Sequence, residues 1–119
     1  MSAKSQLARL IFWTALAFTV VMATMPQPPT MLSTQSDKLN HMLAFFVLTA
    51  LHKLAYRQFG FWKRILIMAF LGGAIEVAQM VPALHRDAEW MDWAADVAAA
   101  FAASIAVMLF LPARDNARR

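Results

Sequence analysis

A chain of 119 residues that is 61% hydrophobic and 15% charged, with a mean hydropathy of +0.51, carries more apolar surface than one small soluble core can hide. The length allows a single domain, residues 1–119, and the absence of cysteine excludes a disulfide framework, a thiolate nucleophile and a cysteine zinc site. The net charge of +4 and pI near 10.1 would suggest nucleic acid in a soluble protein. Here Lys and Arg lie in short groups between apolar stretches, the distribution that sets membrane topology, so nucleic acid is set aside.

In chain order, the first apolar span is predicted over residues 7–25 and ends at Pro26-Gln27-Pro28-Pro29, which cannot continue a helix. Lys4 and Arg9 before an apolar run also fit a secretory leader, but more membrane-like sequence follows, so the segment is read as a retained helix. The second span, residues 39–56, begins just after Asp37 and Lys38, includes His41, and carries Lys53 near its end, where the ammonium can snorkel to the interface. An aromatic and basic connector leads to the third span, residues 65–81, which contains Gly72, Gly73, Glu76 and Gln79 and meets Pro82. The fourth span, residues 90–111, is rich in alanine and stops at Pro112. Its Ala94, Ala98, Ala102 and Ala106, four apart, with Ala95, Ala99 and Ala103 beside them, predict a small-residue face for close helix approach, matched by Ala69 and Gly73 in the third span.

The fold class expected is therefore all-α: an integral membrane four-helix bundle. With alternating helix directions, nine of the 11 basic residues fall on one side, and only Lys38 and Arg86 on the other. The positive-inside rule then makes both termini cytoplasmic. Six of the seven acids, Asp37, Glu76, Asp87, Glu89, Asp92 and Asp96, collect at the outer end. Taking about 1.5 Å of rise per residue, Glu76 lies roughly 8–12 Å below the outer end of its helix. A carboxylate at that depth is costly, faces the bundle interior and suggests a functional site.

The order and spacing of Asp37-Lys38-x-x-His41, Glu76-x-x-Gln79, Arg86 and Asp92-x-x-x-Asp96 resemble the VanZ-like membrane proteins, over roughly residues 37–106. The family pattern carries asparagine where this chain has Asp96, and glycine where it has Ala99 and Ala100. The resemblance implies a small multi-pass protein of the bacterial cytoplasmic (inner) membrane. It also implies a role in cell-envelope or glycopeptide-antibiotic tolerance, since the founding member is tied to low-level teicoplanin resistance.

The candidate ligand-binding set is Asp37, Lys38, His41, Glu76, Gln79, Arg86, Asp92 and Asp96. Four of these are acids and two are permanent bases, a surplus of negative charge that weighs against a simple phosphate pocket. The leading expectation is an outward-facing pocket for an amphiphile, a lipid headgroup or a cell-wall precursor. Three alternatives stay open. One is an intramembrane enzyme on a lipid-linked substrate, with His41 as base and Glu76 as acid. The others are a proton- or cation-coupled carrier, and a purely structural ion network. His41 with carboxylates suits zinc or manganese chemically, but no paired histidine spacing supports a metal, and no cofactor is expected. The bilayer is the expected partner, and a homodimer through the small-residue face stays open. His52 and His85 are read as locally hydrogen-bonded.

Overall fold

The computed structural model describes residues 3–25, 34–81 and 90–110, the side chains of 34–38 excepted. These residues form four α-helices and no strand: α1 (Ala3–Thr24), α2 (Thr34–Ala55), α3 (Phe61–Gln79) and α4 (Trp90–Phe110). Arg9 and Trp13, early in α1, bond to Ala55 and Tyr56 at the end of α2, so these helices are antiparallel. Gln79 at the end of α3 reaches Ala23 near the end of α1, while the rings of Phe61 and Phe101 join the start of α3 to the latter half of α4. The helices therefore alternate in direction, and α2 and α4, which start at the same end, share the most extensive interface.

The core is small. Phe12 and Leu16 of α1, Phe45 and Leu48 of α2, Ile65, Met68 and Ile75 of α3, and Ala99 and Ala100 of α4 interlock along the axis. Around them the usual polarity is reversed. Leu10, Phe18, Leu43, Leu66, Phe70, Leu109 and Phe110 face outward, while His41, Thr49, His52, Arg64, Glu76, Gln79, Asp92, Asp96 and Ser104 are buried. In α3 the inward positions Arg64, Ile65, Met68, Gly72, Ile75, Glu76 and Gln79 recur at three- and four-residue spacing, the signature of one helix face. Thr19, Thr24 and Thr49 each turn the hydroxyl back to the carbonyl four residues earlier, so the hydroxyls are satisfied within their own helices. α1 and α4 are long and apolar enough to cross a membrane, and Leu39–Ala55 is a shorter apolar stretch.

Several boundaries differ from the expected spans. α2 begins at Thr34 rather than 39, and α3 at Phe61 rather than 65, reducing the connector to residues 56–60. Lys63 and Arg64 belong to the first turn of α3, because long straight side chains are good helix formers and their charge does not mark a loop. At the other end of α3, Met80 and Val81 donate to Val77 and Ala78 in three-residue turns, so the Ala78 carbonyl, four residues before a proline that has no N–H to give it, is satisfied by Val81. Within the expected alanine face of α4 the flanking edge is the one that packs inward. Ala99, Ala100 and Ala103 are the buried set, whereas Ala98 and Ala102 face outward; Gly72 rather than Gly73 is the buried glycine.

Candidate functional site

The buried polar residues divide between the two ends of the bundle. At the end where α2 and α4 begin, His41, Glu76, Asp92 and Asp96 come in from three helices, with Gln79 one turn beyond Glu76. The helical period explains the grouping. Gly72, Glu76 and Gln79 share one face of α3, and Asp92 and Asp96, four apart, share one face of α4. Asp96 is the deepest, 1% exposed, and neither of its carboxylate oxygens has a hydrogen-bond partner among the described residues. His41 Nδ1 lies 4.0 Å from Asp96 Oδ1, an ion-pair separation when the imidazole is protonated but too long for a hydrogen bond. Glu76 and Asp92 are close enough for their charges to act on Asp96, so among the described residues three carboxyl groups share a region with one imidazole.

Gly72 makes this approach feasible. A Cβ added there would stand 3.3 Å from Asp96 Oδ2 and 3.5 Å from Trp93 Cδ1, tighter than ordinary van der Waals contact for the carboxylate. Trp93 then fastens α4 to α3, its indole N–H donating to the Ala69 carbonyl at 2.8 Å. The structure thus brings together four of the candidate residues, His41, Glu76, Asp92 and Asp96. Gln79 is at the same end, but its amide N–H donates to the Ala23 carbonyl at 2.8 Å, one of the last carbonyls of α1, which lack helical donors. The side chains of Asp37 and Lys38, and all of Arg86 and His85, lie outside the described residues. Among the described residues, no group of three His, Asp or Glu side chains is placed to hold a metal ion.

Chemically, this arrangement offers negative charge and one imidazole facing a carboxylate. It suits an ammonium or another positively charged group better than a phosphate. Ser104, the buried hydroxyl of α4, stands eight residues beyond Asp96, about 12 Å along the helix, too far to act as a nucleophile beside His41.

The opposite end is basic and aromatic, and the sequence reading did not single it out as a buried site. Arg64 is 3% exposed and donates from Nε to His52 Nδ1 at 3.0 Å and from Nη2 to the Tyr56 and Phe59 carbonyls at 2.9 and 3.0 Å. Arg9 Nε donates to the Ala55 carbonyl at 3.0 Å. Two guanidinium groups therefore supply donors to carbonyls that the end of α2 and the turn after it leave without helical partners. His52 is locally hydrogen-bonded, as expected, with Arg64 as its donor. The available signal was Arg9 interrupting an apolar run.

Together these features define an all-α bundle with an apolar exterior, an acid-rich buried end and a basic, aromatic end. No protein-family profile matches the chain, no curated protein matches it, and no solved structure matches its fold.

Proposed function

We propose that the chain is a VanZ-like four-pass protein of the bacterial cytoplasmic membrane, with both termini inside and the His41–Glu76–Asp92–Asp96 cluster at the outer end. In this reading the cluster binds an amphiphile, a lipid headgroup or a cell-wall precursor at the outer leaflet and contributes to envelope or glycopeptide tolerance. The membrane reading is supported by the outward Leu, Ile and Phe side chains and the inward charges, an arrangement that costs most in water and least in hydrocarbon. Helices of 19 to 22 residues have the length of a bilayer core, about 30 Å. The orientation is supported by Arg9, Lys53, Arg57, Lys63 and Arg64 at one end and Glu76, Asp92 and Asp96 at the other.

The observation that carries the binding reading is Asp96. A carboxylate this deeply buried is normally surrounded by donors, and both of its oxygens lack them among the described residues. A positively charged ligand group would supply those donors. The native chain has no cysteine, so a single His41→Cys substitution gives a clean probe. A membrane-impermeant maleimide added outside intact cells labels the introduced thiol, and prior addition of teicoplanin or of phosphatidylethanolamine vesicles slows the labelling. If the folded His41→Cys protein takes no label from outside, or neither amphiphile protects it, the outward pocket is wrong and the cluster is a structural network.

The imidazole of His41 facing Asp96 at 4.0 Å supports a second reading, an enzyme with His41 as general base. The readings part on Glu76→Gln, which removes the carboxyl that would act as the acid and leaves the imidazole in place. A binding module loses affinity, whereas an enzyme keeps affinity and loses turnover.

A further inference from the structure

At the end opposite the acids, α1, α2 and α3 enclose a groove of about 290 Å³. Its walls are the rings of Phe12, Trp13, Tyr56 and Phe59 and the aliphatic side chains of Ile67 and Leu71, with almost no polar surface between them. The aromatic wall is held in place, because the Trp13 indole N–H donates to the Tyr56 hydroxyl at 2.8 Å and Phe12 stands edge-on to Tyr56 with centroids 6.2 Å apart. Two cations lie on the lining rings. Arg9 Cζ is 4.4 Å from the Tyr56 centroid, and Lys63 Nζ is 5.6 Å from the Phe59 centroid.

An apolar trough with positive charge on its rim is complementary to an amphiphile with an apolar chain and an anionic head. The volume is near the lower limit of small-ligand pockets, about 300 Å³, so it takes part of one chain rather than a bulky ring system. A second copy of this protein is the poorer occupant, because a two-fold contact centred on the groove brings one rim carrying Arg9 and Lys63 against another of the same charge. We propose that this groove seats an acyl chain of an anionic phospholipid of the cytoplasmic leaflet, with the phosphate held between Arg9 and Lys63. The proposal rests on the membrane orientation above but not on the acidic cluster or its ligand.

The test uses full-length protein in phosphatidylcholine vesicles in which either phosphatidylglycerol or phosphatidylcholine carries brominated acyl chains. Bromine quenches indole fluorescence at short range, and the contribution of Trp13 is the difference between the native chain and Trp13→Phe. Flotation of the same sample on a density gradient comes first. Brominated phosphatidylglycerol is expected to quench Trp13 at lower mole fraction than brominated phosphatidylcholine, by about five-fold for each base engaged. Lys63→Gln, which leaves the Arg9 bond to Ala55 intact, is expected to reduce that preference about five-fold. Leu71→Phe, which fills the groove, is expected to weaken quenching by both lipids. Floated protein quenched equally by the two lipids overturns the proposal and leaves the membrane reading standing. Trp13 shielded from both lipids overturns it in favour of a second copy. Protein that does not float with the vesicles overturns the membrane reading and this proposal together.

Discussion

Arg64 and Asp96 are both buried charges, and their surroundings differ in the way that decides what each does. Arg64 donates to a histidine and two carbonyls, so its charge is shared among three acceptors. Arg64→Met, which keeps much of the stem, is expected to cost about 2–4 kcal/mol of stability, read by unfolding in mixed micelles titrated with a denaturing detergent. Arg64→Lys should recover only a minority, since one ammonium cannot reproduce the planar fork. An unchanged midpoint for Arg64→Met would remove the guanidinium from the account of the α2–α3 turn. Among the described residues Asp96 has no such donors, and it shares its space with Glu76 and Asp92. Asp96→Asn removes one of three like charges, so it is expected to stabilise the fold by about 1 kcal/mol while abolishing amphiphile protection of the thiol introduced at position 41, the usual opposition of stability and function. A destabilised Asp96→Asn would mean that the pair with His41 matters more to the fold than the repulsion it relieves. The acids of this site were visible in the sequence because ionisable residues stand out in apolar runs. The capping roles of Arg64 and Gln79 were not, since they depend on which carbonyls another helix brings within reach.

For the helices, the close contact of α3 with α4 depends on a single glycine. Gly72→Leu has no room beside the Asp96 carboxylate and Trp93, and overpacking there is expected to cost about 1–3 kcal/mol and loosen the acidic end. Gly73→Ala, whose added carbon would meet only Trp93 at 3.5 Å and beyond, should be tolerated within about 0.5 kcal/mol. The same denaturation series checks both, and equal effects at the two positions would place the contact elsewhere. The sequence contains two adjacent glycines with nothing to rank them, because the phase of α3 about its own axis is set by its neighbours. The same uncertainty holds in α4, where the flanking Ala99 and Ala103 of the expected alanine face, together with Ala100, are the buried ones. The helices themselves were plain from apolar runs broken by only a few polar residues. Their ends shifted by a few residues where charged but helix-competent residues such as Lys63 and Arg64 resembled a loop.

For the whole molecule, alternating helices with a basic and an acidic end predict a definite sidedness. Alkaline-phosphatase fusions, active only outside the cytoplasm, should be inactive after residue 58 and after residue 119, and active after residue 84. The opposite pattern would place the acidic cluster inside and its amphiphile in the inner leaflet. Carbonate extraction should leave the native chain in the membrane pellet. Release into the supernatant would mean that the exposed apolar side chains are covered by protein rather than lipid.

Composition and order alone point to the four helices that the described residues form and to the grouping of Glu76, Asp92 and Asp96 toward one end, because hydropathy, proline and charge are properties of residues and of their spacing. Which polar groups meet is a property of packing. The facing of His41 and Asp96, the donation of Gln79 to α1, the guanidinium of Arg9 over the end of α2 and the apolar groove beneath Tyr56 all require helices distant in sequence to adopt one relative rotation. That rotation follows from the fit of Phe12, Phe45, Met68 and Ala100 against one another, which no single segment contains.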